Sequence, residues 1–296
     1  MLIHNDPLTY EIWYTINSSN PVKGSPSNKY NTPIIITGEI GETVTIKAIG
    51  FSPDYTYTYI LEAMYLIVDE NSMTAITNGI NSYLSGQTGG ESVDNPVNLT
   101  VNINLGRMTG ISGWRSLLTA IENNDKFVKL DLSACTMVGT SFNPDETIAT
   151  GKDKIVDIIL PTNSTSTAAG IYPNASFRYF TALKEVTALN LIDIAYQTFD
   201  DCYSLTKVSF PKATSMCAQA FNGCINLREV NLPLIENIGY MSFRNCPIEI
   251  IILGTIIEAN FLNFNYRLDD LRAVYYVAGG GADTYIWSNG VWGKEE

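Results

Sequence analysis

The chain has almost no histidine. Its 296 residues include one, His4, which stands at the extreme N-terminus. Ser-His-Asp and Cys-His catalysis need an imidazole base that the fold holds in place, and a terminal residue is poorly held. We therefore expect that the protein is not an enzyme and that it has no catalytic residues.

Cysteine is scarce as well. The five cysteines are Cys135, Cys202, Cys217, Cys224 and Cys246, and no two of them form the close Cys-x-x-Cys pair that is typical of zinc sites. The glycine run at 278–282 lacks the Lys-Ser/Thr that follows a phosphate loop. The acid pairs Asp200-Asp201 and Asp269-Asp270 are interpreted as solvated loop residues. The sequence thus predicts no metal and no cofactor.

Positive charge is also in short supply. Lys and Arg number 18 against 30 Asp and Glu, so the net charge is −12. Such a chain is a poor partner for nucleic acid, and no apolar run is long enough to cross a bilayer. Residues 1–6 lack the basic and apolar regions of a signal peptide. Either the protein is cytosolic, or a leader has been removed from it.

A dense pattern of matches at an offset of 22 residues fills the second half of the chain. The matching positions are Phe177, Phe199, Phe221 and Phe243; Cys202, Cys224 and Cys246, with Phe180 before them; and Ile194, Met216 and Ile238, with Tyr172 before them. A period of 22 lies within the leucine-rich-repeat range. One such repeat cannot bury its own apolar face, so stacked repeats share a core.

Stacking predicts which side chains point inward. The inward strand residues are Leu205, Val208 and Phe210 in one repeat and Leu227, Val230 and Leu232 in the next. The four phenylalanines should form a buried column on the opposite side of each coil. Cys202, Cys224 and Cys246 should form a second column of buried, reduced thiols.

The repeat pattern A/S-F-x-x-C-x-x-L-x-x-V-x-L/F-P resembles the BspA-like leucine-rich repeats of bacterial surface proteins. Residues 176–211, 198–233 and 220–253 carry it best. Asp157–Pro161 is interpreted as an earlier strand, followed by a Ser/Thr-rich insertion at 162–169. The resemblance implies a solenoid, binding to host proteins or to other cells, and a location outside the cell or on its surface. It therefore favours removal of a leader.

The first 68 residues carry alternating apolar positions at the spacing of a small β-sandwich. The stretches 12–21 and 44–51 resemble the immunoglobulin-like accessory domain at the C-terminus of chitobiase/β-hexosaminidase-type enzymes. That family usually reads Y-T-x-D-G-S-x-P, whereas Asn17 and Ser18 stand here in place of Asp and Gly. The resemblance implies the fold and no activity.

The flanking segments predict capping elements. Residues 69–150 contain a predicted helix at Ser72–Leu84, an alternating strand at Val97–Leu105, a helical face around Trp114 and a strand at Val128–Leu132. We interpret this stretch as the N-terminal cap of a solenoid at 69–276. Its last repeat, 253–276, is degenerate. Residues 277–296 form a predicted hairpin tail around Asn289-Gly290.

The outward strand positions are the candidate site. Between the inward residues lie Glu185, Thr187, Lys207, Ser209, Glu229 and Asn231. They are either merely solvated or the contact surface for a partner, as in other repeat proteins. The leading hypothesis is a monomeric adhesion protein that binds a protein on a host or bacterial surface. The alternative is a carbohydrate-binding accessory protein, with Trp13, Tyr55, Tyr57 and Tyr59 as candidate aromatic platforms.

Overall fold

The computed structural model describes residues 11–31, 34, 43–51, 56–66, 72–170, 175–257, 260–261, 266–277 and 281–295. The chain divides into two compact units, Met1–Asp69 and Glu70–Glu296. The architecture is mainly β with few helices.

The N-terminal unit contains a four-stranded antiparallel sheet. Its strands are β1 (Glu11–Thr15), β2 (Asn28–Lys29), β3 (Thr43–Phe51) and β4 (Thr56–Leu66), in the order β2-β1-β3-β4. Val44, Ile46 and Ala48 are buried at alternate positions of β3, as the pleat of a strand requires. The described residues of this unit form one sheet, so the second sheet of the expected sandwich stays a prediction.

The second unit begins with two capped helices, each followed by a strand. The elements are α1 (Met73–Ser85), β5 (Val97–Thr100), α2 (Gly113–Asn124) and β6 (Val128–Asp131). The side chains of Ser72 and Ser112 accept hydrogen bonds from the third backbone amide after each cap, which satisfies amides that a helix start leaves unpaired. Ile76 and Ile80 of α1 are buried, as the helical spacing predicts.

The strand predicted at Val97–Leu105 is shorter than expected. Burial does alternate as far as Leu105, but β5 ends at Thr100. Beyond it, the amide of Leu105 bonds to the carbonyl of Thr136, and Asn104 forms an isolated bridge with the same residue. The chain therefore ends its strand pairing with β6 after Thr100, while its side chains keep their alternation.

The repeats contribute two kinds of strand in turn. They are β7 (Ser141–Phe142), β8 (Ile155–Ile159), β9 (Ser166–Thr167), β10 (Glu185–Thr187), β11 (Asp193–Ile194), β12 (Lys207–Ser209), β13 (Ser215–Met216), β14 (Glu229–Leu232), β15 (Asn237–Ile238) and β16 (Ile250–Leu253). A short 3-10 helix, Lys152–Lys154, precedes β8.

The chain ends with α3 (Tyr266–Val277), β17 (Asp283–Ser288) and β18 (Val291–Lys294). Helix α3 occupies much of the segment interpreted as a degenerate last repeat. The Tyr275 hydroxyl donates to the carbonyl of Gly254 at 2.8 Å and accepts from the amide of Ile256 at 2.9 Å. Asn289 and Gly290 adopt left-handed backbone between β17 and β18, which form a hairpin.

Strands from successive repeats build two sheets. The larger has nine strands in the order β18-β17-β16-β14-β12-β10-β8-β6-β5, and its seven strands from β16 to β5 are parallel. The smaller has five short strands in the order β15-β13-β11-β9-β7. Lys207 pairs with Glu229 and Ser215 with Asn237, so the 22-residue offset is the register among β10, β12 and β14 and among β11, β13 and β15.

One detail of the predicted repeat is wrong. The stretch 162–169 is not a plain insertion, because it contains β9, whose Ser166 pairs with Asp193 of β11. The residue one strand before Ile194 is therefore Thr167, and most of the extra length follows it. Tyr172, predicted for that position, lies outside the described residues. The Thr167 hydroxyl is buried and lies 2.8 Å from that of Thr198.

The predicted inner columns are confirmed. Phe177, Phe199, Phe221 and Phe243 are at most 1% exposed. Their ring centroids lie 4.4, 5.0 and 5.3 Å apart along the column. The predicted inward residues Leu205, Val208, Phe210, Leu227, Val230 and Leu232 are buried as well.

The thiol column is confirmed too. Cys202, Cys224 and Cys246 are buried, and none of the three forms a disulfide. The three Sγ atoms donate to the backbone carbonyls of Phe177, Phe199 and Phe221, each 25 residues earlier in the chain. Burial raises the pKa of the Cys202 and Cys224 thiols above the ordinary range. Cys202 and Cys224 are thus neutral core residues, and all three thiols act as weak donors.

Candidate functional site

The six predicted contact residues lie on three adjacent strands of the nine-stranded sheet. Glu185, Lys207 and Glu229 pair directly across β10, β12 and β14, and Thr187, Ser209 and Asn231 pair two residues further along. Neighbouring strands in a sheet are about 4.8 Å apart, so each row is continuous. We call these two rows together the strip.

The two rows differ in exposure. Glu185, Lys207 and Glu229 are exposed, whereas Thr187, Ser209 and Asn231 are half-buried. The Asn231 side-chain amide donates to the Ser209 hydroxyl at 3.1 Å. The second row was predicted to be as exposed as the first, and the difference arises because its short side chains lie between close neighbours. The first row therefore offers the side chains that a partner can reach.

Charges within the first row are partly paired. The Lys207 ammonium lies 3.2 Å from the Glu229 carboxylate, whose hydrogen bond and charge, with the charge of Glu185, raise the pKa of Lys207. Glu185 itself has no ion-pair partner among the residues that the structure describes. Both members of the Lys207–Glu229 pair are about half exposed, so the pair adds little stability. The row carries one uncompensated negative charge, at Glu185.

Family comparisons agree with this architecture. Residues 149–268 match the family model described as a BspA type leucine rich repeat region, in six copies, and residues 2–65 match the model described as Fn3 associated. The second unit carries a BspA-type leucine-rich-repeat region. The N-terminal unit carries the Fn3-associated region, which is the accessory domain of the sequence interpretation. No curated protein and no solved structure matches the chain.

The first row extends beyond the strip in both directions along the nine-stranded sheet. Lys129 and Asp157 precede Glu185 in register, and their side chains form an ion pair of 2.6 Å. Ile250, 37% exposed, follows Glu229, and Ile286 follows Ile250. Sequence reasoning missed these residues because their spacing departs from 22. The alternation around Lys129 was the available signal.

The aromatic residues proposed as sugar platforms are only partly described. Trp13 is half-buried, and its indole nitrogen donates to the Glu11 carboxylate at 3.4 Å. Tyr55 and the side chains of Tyr57 and Tyr59 lie outside the described part of the accessory domain. Hydrogen bonds from Lys29, Lys23 and Trp13 lower the pKa of Glu11 to about 2. Trp13 thus packs beside a paired carboxylate.

Two further observations concern the described residues alone. None of the helices among them is both long and apolar enough to span a membrane. No group of three or more His, Cys, Asp or Glu side chains among them is placed to hold a metal ion.

Proposed function

We propose that this chain is a non-catalytic binding protein that acts at the cell surface or outside the cell. In this proposal the BspA-type repeats form a solenoid, the accessory domain is an Ig-like sandwich, and the strip contacts a protein on a host or bacterial surface. The supporting observation is the register of the strip, which brings six outward side chains from three repeats into two continuous rows.

The charge of the first row favours a protein partner. Its charges are mixed, and the chain as a whole is strongly negative, so a polyanion would be repelled. A protein can place a lysine or arginine opposite Glu185 and polar groups opposite the Lys207–Glu229 pair. The strands are held by ladders on both sides, so little conformational entropy is lost when a partner binds.

The experiment compares two triple variants on a panel of immobilised extracellular-matrix proteins. The test variant is Glu185→Ala, Lys207→Ala and Glu229→Ala. Single rim charges contribute little, so three changes are made together. The control is Glu91→Ala, Lys212→Ala and Glu236→Ala, which removes the same charges from exposed positions outside the strip.

We expect the test variant to bind at least tenfold more weakly than the parent to the matrix protein that the parent binds. Its melting temperature should stay within a few degrees of the parent's. The control should bind as the parent does. If the test variant binds as tightly as the parent, the contact surface lies elsewhere. If both variants weaken binding equally, overall charge is responsible rather than the strip.

A carbohydrate-binding accessory protein is the second candidate, and it is favoured by the Fn3-associated domain at 2–65. A glycan array run beside the matrix panel tests this candidate, and loss of glycan binding in Trp13→Ala would assign that binding to the N-terminal domain. The proposal that the protein is not an enzyme has its own test. Turnover of a chitooligosaccharide by the purified protein, above a matched blank, would contradict it.

A further inference from the structure

One turn of the repeat region departs from its neighbours at a conformationally demanding position. The equivalent residues Tyr179, Asp201, Gly223 and Asn245 all have left-handed backbone, with φ of 74°, 57°, 76° and 64°. Glycine, asparagine and aspartate adopt this conformation readily, whereas a bulky residue there is an outlier. Strain of this kind is a reason to look for a function at Tyr179.

The next position in the same turn is also unusual. Phe180 stands where the following repeats have Cys202, Cys224 and Cys246, so two aromatic rings replace two small side chains. Beside these rings, between this turn and the next, the surface forms a cleft of about 300 Å³. Its lining includes Arg178, Tyr179, Asp200, Asp201 and Tyr203. This volume lies at the lower end of the range for small-molecule sites.

The Asp200 carboxylate is held in a fixed orientation. It accepts hydrogen bonds from the side-chain amides of Asn222 at 2.6 Å and Gln197 at 3.1 Å, one on each oxygen. Gln197 is buried, and its own amide oxygen has no hydrogen-bond partner among the residues that the structure describes. Each carboxylate oxygen keeps a free lone pair. The cleft therefore presents a pre-oriented acceptor beside two tyrosine rings.

Charges of both signs lie around the cleft. The Arg178 guanidinium lies 4.6 Å from the Tyr179 ring centroid, and the buried Lys152 ammonium lies 6.0 Å from the same centroid. These two positive groups offset the negative charges of Asp200 and Asp201, so the cleft has no net charge that would favour an anion or a cation. A neutral ligand with both donors and acceptors can use groups of either kind.

We propose that the cleft between Tyr179 and Tyr203 binds a neutral saccharide. Sugar hydroxyls donate to Asp200 and accept from Arg178, because a hydroxyl group does both. The apolar face of the sugar ring packs against a tyrosine ring and removes apolar surface from water. This site shares no residue with the strip, so it is independent of the protein-binding proposal.

The test uses the full chain on an array of neutral glucans, mannans, galactans and chitooligosaccharides, with uronic-acid glycans and polyamines as charged arms. The strongest neutral binder is then titrated calorimetrically against the parent and Tyr203→Ala. The matched control is Ile225→Ala, one repeat later, because the two side chains are 55% and 52% exposed. We expect Tyr203→Ala to weaken binding at least tenfold and Ile225→Ala to change it less than twofold.

A second variant, Asp200→Asn, tests the polar contact. The oxygen of the new side-chain amide can still accept the bond from Asn222. Its nitrogen can donate to the Gln197 amide oxygen once the Gln197 side-chain amide rotates by about 180°. The fold should therefore be retained while sugar binding weakens at least fivefold. The proposal is overturned if no neutral glycan binds, if only a charged arm binds, or if Tyr203→Ala and Ile225→Ala behave alike.

Discussion

The regular turns at Cys202, Cys224 and Cys246 and the irregular turn at Phe180 solve the same packing problem differently. All four place a phenylalanine in the central column, three residues earlier. The regular turns then fill the next buried position with a thiol. The irregular turn fills it with a ring that lies over the ammonium of Lys152, 5.5 Å away. The column is thus the constant part of the repeat, and the position beside it can vary.

The geometry of the column records this difference. The rings of Phe199, Phe221 and Phe243 are nearly parallel, with interplanar angles of 6° and 8°. The Phe177 and Phe199 rings are inclined by 36°, where the irregular turn meets the first regular one. Phe142 extends the column by one ring, and Trp114 packs edge-on against it at 5.7 Å. At the irregular turn the phenylalanine rings of the column thus stay in contact but are no longer parallel.

The largest expected effect comes from breaking the column in a regular coil. Phe221 is fully buried between Phe199 and Phe243, so Phe221→Ala should lower the free energy of unfolding by about 3–5 kcal/mol. The measurement is urea unfolding. Ile225→Ala, at a half-exposed site in the same repeat, should cost less than about 0.5 kcal/mol. Equal costs for the two variants would contradict the column as the main source of stability.

The inner columns were predictable because burial imposes the 22-residue period on every apolar ladder position. The rows of the strip followed from the same period, since side chains alternate between the two faces of a strand. Both predictions needed residue identity alone. Wherever the repeat length stays at 22, the sequence therefore predicts the register.

The remaining features depend on where the period breaks. Strand β9 is a Ser-Thr dipeptide without apolar alternation, so its pairing could not be located within the polar stretch 162–169. The left-handed backbone at Tyr179 is set by the neighbouring turns and not by tyrosine itself, which disfavours it. The Lys207–Glu229 pair depends on side-chain conformation, which spacing does not specify. The candidate cleft was missed for these reasons.

The stability should respond to pH with opposite signs through two sets of buried groups, the Lys152 ammonium beside the irregular turn and the thiols of the regular turns. Burial lowers the pKa of Lys152 from 10.5 to about 8, so between these values the unfolded chain holds a proton that the folded chain has lost. As the pH rises through this window, the contribution of Lys152 to the free energy of unfolding therefore increases by roughly 3 kcal/mol. Burial raises the pKa of the Cys202 and Cys224 thiols, so their contribution to stability falls as the pH rises above about 9.

Two variants separate these contributions. The free energy of unfolding of Lys152→Met, measured relative to the parent, should fall by roughly 3 kcal/mol between pH 7 and pH 10.5, because the variant lacks the contribution that the parent gains from Lys152. The free energy of unfolding of Cys224→Ala, relative to the parent, should rise by about 1.4 kcal/mol per pH unit above pH 9, because the variant lacks the buried thiol. The measurement is urea unfolding across this pH range. Slopes of the same sign for the two variants would show that the regular and irregular turns do not differ in this way.

The smallest expected effect is a difference in thiol reactivity among the five cysteines. Cys217 is exposed, whereas Cys135, Cys202, Cys224 and Cys246 are buried. Burial raises the pKa of Cys135 to about 12, so its reactive thiolate is scarce at neutral pH. Ellman's reagent should therefore modify one thiol rapidly in the folded protein and all five after denaturation.

Cys217→Ser supplies the control, because it should abolish the fast phase and leave the melting temperature unchanged. The three column thiols should stay unreactive for as long as the fold persists, since each Sγ–H is directed at a backbone carbonyl one coil earlier. Any fast thiol that remains in this variant would mean that a buried cysteine is accessible in solution. A disulfide between any two column cysteines, found by mass spectrometry, would contradict the stacking of the regular turns.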